Sequence, residues 1–492
     1  MKGLAPQASA SAYSATRTGV LEASLVRIPA KPYLAQMARS LHEMATNLRQ
    51  TMGMSIEPLA DVDSEVVEIV RDLIKIDTSN YGDGSGPGEA LAAEYVEAKL
   101  KEVGIECERY ETTSGKRQGV NARIEGKDPS KPALLIHGHL DVVPAEAKDW
   151  TYHPFAAEVH DGMIWGRGAV DMKDGDGMIL AMARSWARNG VQPDRTIVFD
   201  WLPDEEAGSE HGSGWLVENR PDLYRGVTQA VGEVGGFSLT LREDVRLYLV
   251  QTAEKGIRWM KLKAEGTAGH GSFINNDNAV TKLAEAVAAV GNHKFDLALT
   301  PTVRDFIKAV SDALGMELSA DDPEELLAQL GPIARIIGAT LSNTANPTML
   351  NAGYKHNVIP GAAEAMIDGR FLPGYEDELI KDIENLLPPG VVLEDVVNGI
   401  ALEAPFEGPL VDAMGAAIRA EDPFGTPVPY TVSGGTDAKA FSTLGITCYG
   451  FLPLLLPPEL DFSAMFHGVD ERVPTNGLEF GARVMDRFVR SL

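Results

Sequence analysis

Apolar residues recur at helical spacing through Val66, Val67, Ile69, Val70, Leu73 and Ile74, which predicts an amphipathic helix beginning after Asp63. A Gly/Ser-rich loop at 82–88 breaks the pattern, and a second helix over about 89–103 stops at Gly104. Ala133-Leu-Leu-Ile-His137 then runs without a polar interruption until its last residue. That is how a strand buried on both faces reads, with chemistry at its C-terminal edge. A helix over about 176–189 ends at Gly190. Thr196-Ile-Val-Phe-Asp-Trp-Leu202 is a second such strand, and it runs straight into Asp204-Glu205-Glu206. Buried strands alternating with helices predict an α/β fold, a mixed sheet flanked by helices.

Near Lys255 the pattern changes. Residues 257–265 alternate, with Trp259, Lys261 and Lys263 against Met260 and Leu262, so one face of this strand is solvated. A helix at about 278–291 follows, then a helical insert over about 302–337, a strand at 363–371, a helix at about 375–386 and a strand at 391–397. A βαββαβ order fits a small ferredoxin-like sheet with helices on one face. Beyond about 407 the first style resumes. The expected organisation is a larger α/β domain in two parts, 56–253 and 407–492, split by an inserted α+β domain at 254–406. Residues 1–55 are rich in Ala, Ser and basic residues and carry no continuous apolar run. They read as a disordered extension, or as the product of a start upstream of Met52 or Met54.

At 492 residues the chain exceeds one ordinary core. A net charge of −27 argues against nucleic acid and against an anionic membrane surface, because both need Lys and Arg to neutralise phosphate. No apolar run reaches the ~18 residues that span a bilayer. Cys107 and Cys448 both lie in strand-like stretches, which favours two free thiols in a reducing, cytoplasmic setting over a disulfide.

Five short motifs carry the chemistry: His137-Gly-His-Leu-Asp141, Gly166-Arg-Gly-Ala-Val-Asp-Met-Lys-Asp-Gly175, Pro203-Asp-Glu-Glu-Ala-Gly208, Gly232-Glu-Val-Gly-Gly236 and Phe466-His-Gly-Val-Asp-Glu-Arg472. Each places His, Asp or Glu beside a glycine or at the end of an apolar run, and neutral imidazole with carboxylate suits zinc and related divalent ions. On an extended segment residues i and i+2 point the same way, so the Asp141 carboxylate is placed to orient the His139 ring. Asp171 offers two oxygens, as a bridge between two metals requires. Of the neighbours Glu205 and Glu206, one can bind metal while the other accepts a proton from water. Taken singly each has a plainer reading: a strand-end histidine, an N-cap aspartate, a solvated acidic turn.

Jointly these residues resemble the aminoacylase/carboxypeptidase family of co-catalytic zinc peptidases, the M-twenty peptidases, nearest its carboxypeptidase S and aminoacylase branch. The resemblance covers about residues 60–490. It implies one zinc on His139, Asp171 and Glu233, and a second on Asp171, Glu206 and His467; cobalt or manganese could take the same ligands. It implies Asp141 as the orienting acid and Glu205 as the general base toward a water between the metals. Gly266-Thr-Ala-Gly-His-Gly-Ser272 looks like the family's lid motif, which implies His270 at the oxyanion, often across a dimer interface. Asn357 and Arg370 match the pair that grips substrate carbonyl and carboxylate. Gly434, Gly435 and Thr436 match the substrate loop. The implied activity is hydrolysis of the amide bond of small peptides, or of N-acyl amino acids, bearing a free α-carboxylate, by a homodimer joined through the lid. The insert at about 302–337 departs from the family minimum by enlarging the lid, which bears on that dimer. A non-catalytic binding protein on the same fold is the reading from another class; loss of the base would mark it, and Glu205 is present.

Overall fold

A computed structural model describes residues 56–112, 115–315, 317–318 and 338–492. The expectation for residues 1–55 lies outside them. The first sheet begins with β1 (Cys107–Glu111), β2 (Gln118–Ile124), β3 (Ala133–His139), β4 (Ile197–Leu202), β5 (Val227–Gly232), β6 (Ser238–Arg242) and β7 (Val245–Glu254). The chain then builds a second sheet from β8 (Gly256–Glu265), β9 (Thr344–Ala352), β10 (Ala362–Phe371) and β11 (Val391–Asn398). It returns to the first with β12 (Leu402–Glu403), β13 (Gly425–Val432) and β14 (Thr447–Gly450).

The first sheet has the order β1-β2-β4-β3-β5-β14-β7-β12, with β6 and β13 also pairing to β7. Its centre is parallel: β4 with β3, β3 with β5, and β5 with β14. All seven residues of β3 and all six of β4 are buried, as their unbroken apolar runs require. Helix α1 (Val66–Lys75) buries Val66, Ile69, Val70, Leu73 and Ile74, the stripe read from the sequence. Helix α2 (Ala90–Glu102) packs on β1 and β2. Helix α3 (Lys173–Asn189) is buried from Lys173 to Trp186. It starts three residues before the predicted 176, and that puts Asp171 just ahead of its first turn.

The second sheet has the order β9-β10-β8-β11, antiparallel throughout. Helices α4 (Ala279–Asn292), α5 (Pro301–Leu314) and α6 (Glu376–Leu386) follow the same stretch of chain. Of these, α4 and α6 close a separate core with Met260, Leu262, Leu283, Ile367, Leu379 and Ile383. The βαββαβ order is therefore present. Strand β9 escaped sequence reading: it alternates poorly and contains Pro347, which the structure tolerates because β9 is an edge strand.

The helical insert corrects one expectation. Thr300 caps α5 by accepting from Val303 N, and Gly315 ends it in the left-handed region at φ 64°. Its apolar face of Val303, Phe306, Ile307 and Val310 packs on β13 and β7, inside the first sheet's core. The described part of the insert thus adds to the larger sheet and does not enlarge the lid; residues 319–337 lie outside the described ones. Helices α7 (Pro409–Glu421), α8 (Ala438–Ser442) and α9 (Thr475–Arg490) complete the chain, α9 packing against α1, α3 and α7. Among the described residues no helix is long and apolar enough to cross a membrane.

Candidate active site

Three adjacent parallel strands, β4, β3 and β5, end at the same edge, and each carries acid or imidazole just there. His139 is the last residue of β3, Glu205 and Glu206 follow β4, and Glu233 follows β5. This is where open α/β sheets place ligands, because the strand ends diverge into loops. Asp171 arrives from the loop before α3, and His467 from the loop before α9. Several backbones here adopt the left-handed region without being glycine: Asp204 at φ 69°, Val234 at 55° and His467 itself at 58°. A β-branched valine in that region is unusual, and such strain clusters at functional sites.

His139 Nε2 lies 3.2 Å from Asp171 Oδ1, 3.4 Å from Glu233 Oε2 and 3.9 Å from Glu205 Oε2. His467 Nε2 lies 3.3 Å from Asp171 Oδ2 and 3.0 Å from Glu206 Oε2. Each oxygen of Asp171 therefore faces a different imidazole, the disposition expected of a bridging carboxylate. Two triads bring their donor atoms within 4.8 Å of one another, His139-Glu205-Glu233 and His139-Asp171-Glu206. Both differ from the expected sets: the first holds Glu205 where Asp171 was read, and the second holds His139 where His467 was read, with His467 in contact with its Asp171 and Glu206.

The electrostatics fit a cation. Burial pushes Glu233 up to about 8, with His139 opposing. Burial and then the charge of Glu233 hold Glu205 well above the usual carboxylate range. Glu206 rises for the first of these reasons, with Asp171 next. Burial alone would lower His139, but Glu233, Asp171 and Glu205 hold it well above its ordinary value. Hydrogen bonds to Asp171 and Glu206 raise His467 to about 10. Buried carboxylates gathered this closely need positive charge to stay ionised. An N/O donor set of this kind fits zinc or a similar divalent ion.

A correction concerns Asp141. Strand β3 stops at His139, so the same-side rule no longer applies two residues on. His139 Nδ1 sits 3.0 Å from the Asp141 carbonyl oxygen, while the nearer carboxylate oxygen is 3.7 Å away. The carboxylate instead accepts from Glu205 N and Glu206 N at 3.1 Å each and from Asn80 Nδ2 at 2.9 Å. It fixes the turn that presents the glutamate pair. Asn80 also donates to Asp204, and Arg117 joins Asp204, Asn80 and Glu89 in one buried network beneath that turn.

A cavity of about 410 Å³ opens onto Asp171, Glu205, Glu206, Glu233 and His467. Its other walls include Val234, Phe237, Tyr430, Val432, Phe466 and the loop residues Ser433, Gly434 and Gly435. Thr436 does not line it: its N–H and hydroxyl bind the buried Glu254 at 3.1 and 2.6 Å. The lid residues stand apart from this cavity. His270 is exposed, its Nδ1 2.8 Å from Ser272 Oγ. It neighbours Asn357, whose carbonyl accepts from Gly271 N and whose Oδ1 is buried without a partner. Arg370 is engaged by Asp368 through two bonds, of 2.7 and 3.2 Å.

Sequence reading passed over Glu471, though it stands in the fifth motif. Its carboxylate is fully buried and accepts from Gly168 N, Val170 N, Asp171 N and Arg167 Nη1 at 2.6–3.1 Å. The loop that carries Asp171 is wrapped around it. The signal was available: Arg167 and Glu471 are opposite charges inside the second and fifth motifs.

Fold and site together define an α/β protein with a cluster of imidazole and carboxylate groups, at a sheet edge, that could hold metal. A family model described as peptidase family M20/M25/M40 matches residues 135–491, and the chain belongs to that family. It is thereby an enzyme of a metal-dependent hydrolase family acting on peptides or N-acyl amino acids. It is 28% identical over 377 residues to a probable carboxypeptidase S-like protein of Dictyostelium discoideum, covering 71% of this chain and 69% of that one. It is 27% identical over 405 residues to aminoacylase-1 of Sus scrofa, covering 79% and 86%. It is 28% identical over 397 residues to an N-fatty-acyl-amino acid synthase/hydrolase of Bos taurus, covering 75% and 76%. The fold is similar to that of a metallo-carboxypeptidase from Sulfolobus solfataricus, with a TM-score of 0.62 at 17% identity over 87% of this chain and 98% of that one. A dinuclear metal-binding peptidase from Bacillus subtilis gives 0.58 at 14% over 87% and 98%.

Proposed function

We propose that this protein is a two-metal peptidase that cleaves the amide bond of small peptides with a free α-carboxylate. The observation that carries the reading is Asp171, whose two oxygens face His139 and His467 with Glu233, Glu205 and Glu206 beside them. The proposed ligands are His139, Asp171 and Glu233 for one ion, and Asp171, Glu206 and His467 for the other. Zinc is the ion proposed; cobalt and manganese suit the same donors. Bound divalent cations would polarise the amide carbonyl and lower the pKa of an attacking water. Glu205 is the proposed base: it takes the proton of that water and passes it to the leaving nitrogen. Asp141 holds Glu205 in place through its backbone N–H. Closure of the inserted domain would bring His270 to the developing oxyanion and Asn357 and Arg370 to the substrate's carbonyl and carboxylate. For that, Arg370 must share its guanidinium with Asp368.

N-acyl-amino-acid deacylation is the second reading, and the apolar cavity wall of Val234, Phe237, Tyr430 and Phe466 favours it. The test is metal-loaded protein offered a panel of dipeptides and N-acetyl amino acids, with and without chelator. Chelator-sensitive release mainly from dipeptides is the expected result. Release mainly from N-acyl substrates would move the assignment to a deacylase. No release from either, with metal bound, would sink both in favour of a binding protein on the same fold.

We also infer a homodimer through the lid, supported by exposed Trp259, Met349, Leu350, Val392 and Val396 on the second sheet. Light scattering at twice the chain mass is expected, and a single-chain mass would refute it. A cytoplasmic setting is supported by Cys107 and Cys448 both being free thiols.

A further inference from the structure

A substrate with a free carboxylate needs a cation near the scissile bond, and Arg370 already has Asp368 as its counter-ion. Lys439, on α8, does not have one. Its ammonium lies directly against the glycine loop: a Cβ on Gly435 would stand 2.6 Å from Lys439 Nζ and 3.0 Å from its Cε. Gly435 has no left-handed backbone, and the atoms such a Cβ would meet are the flexible end of the lysine, so the loop and the ammonium are in direct contact and the ammonium would have to move aside for a larger residue. Among the described residues the one hydrogen-bond acceptor of Lys439 Nζ is the Lys255 carbonyl oxygen, at 2.8 Å. Among the same residues no carboxylate comes within ion-pair distance of it. Glu254, the nearest acid in charge terms, is buried and accepts from Thr436 N, Thr436 Oγ1 and Gln251 Nε2.

Lys439 is thus a half-buried ammonium using one of its three donors. Burial draws it below its ordinary value; Glu254 partly restores it and Arg370 opposes. Charges taken out of water are normally paired, and one that is not leaves room for an anion. The loop above it lines the cavity that holds the catalytic cluster. We propose that Lys439 receives the free carboxylate of the substrate from the catalytic side, supplying the charge that Asp368 cancels on Arg370, and that Gly435 keeps the path between them open. This rests on the reading of the protein as an amide hydrolase.

The test compares each substrate acid with its C-terminal amide on the metal-loaded full chain. Lys439→Met is expected to lower kcat/KM for the acid through KM, so that the acid-to-amide ratio falls about 10- to 100-fold, the scale of one hydrogen bond to a charged group. Lys439→Arg should recover most of that ratio, and Gly435→Ala should lower it by displacing the ammonium. Equal losses on acid and amide would reduce Lys439 to a structural role and overturn the proposal, as would an unchanged ratio. If the parent protein turns over neither compound, amide hydrolysis itself fails. The carboxylate site is then read by equilibrium binding of an N-acetyl amino acid against its amide. Preference for the acid that Lys439→Met abolishes supports the proposal, and equal binding overturns it.

Discussion

Glu205→Gln should abolish turnover, lowering kcat by about 10²–10⁴, the usual contribution of a positioned general base. The substitution preserves shape and backbone, so the two hydrogen bonds from Glu205 N and Glu206 N to Asp141 persist. What disappears is the proton acceptor. Glu205 stands in one of the two triads, but its Oε2 is 3.9 Å from His139 Nε2, farther than Asp171 or Glu233, and a glutamine there still offers an oxygen. Metal content, measured by elemental analysis after gel filtration, should therefore stay near the parent value. Glu206, 3.0 Å from His467, occupies a ligand's place instead, so its loss should show first in metal content. Near-full activity in Glu205→Gln would mean that the base has been misassigned.

The second large effect should come from a residue that touches no substrate. Glu471→Ala removes the anion around which the Asp171 loop is wrapped, and it leaves Arg167 buried without that partner. Breaking a buried pair by removing one member costs about 3–5 kcal/mol, because the remaining charge stays desolvated. Three backbone N–H groups, of Gly168, Val170 and Asp171, lose their acceptor as well. Denaturant unfolding should show that loss, and metal stoichiometry should fall because Asp171 is no longer aimed between the two imidazoles. A variant with the parent's unfolding midpoint would show that the loop holds itself without the carboxylate.

The catalytic half of the fold was legible because its strands are buried on both faces and so read as unbroken apolar runs. The same runs pointed to the site: His139 and Glu205-Glu206 stand where β3 and β4 give out. The candidate ligand residues were legible by type and motif, and the fold brings all five side chains together. Less visible was anything set by a change of direction. Asp141 was read through strand periodicity, but the strand ends at His139, and the carboxylate turns to the Glu205 turn instead. Glu471, Asn80 and Arg117 act through buried hydrogen bonds between segments tens to hundreds of residues apart, and no local pattern announces those. The edge strand β9 lacks alternation because little of it is buried. The helix at 301–314 was legible as a helix, but its partner was not: an apolar stripe says that a face is covered and not by what.

That last helix alters how the two cores are tied. The chain leaves the first core at Lys255, builds α4 on the second, and returns to bury α5 on the first. It then goes back for β9 and β10, and comes home a final time at β12. Strands β8 and β9 of the small sheet are thus separated by a stretch that belongs to its neighbour, with the Lys255 ammonium bonded to Ala339 O and Ser342 O at one of the crossings. A span cut at 254 and 406 would carry away an apolar helix face with nothing to cover it. The small sheet also cannot be completed on its own in the order of synthesis, because β9 is presented only after α5 has a surface to settle on, and that surface includes β13, which is made later still. The two cores are therefore expected to fold as one cooperative unit, joined by several crossings of the chain rather than by a pair.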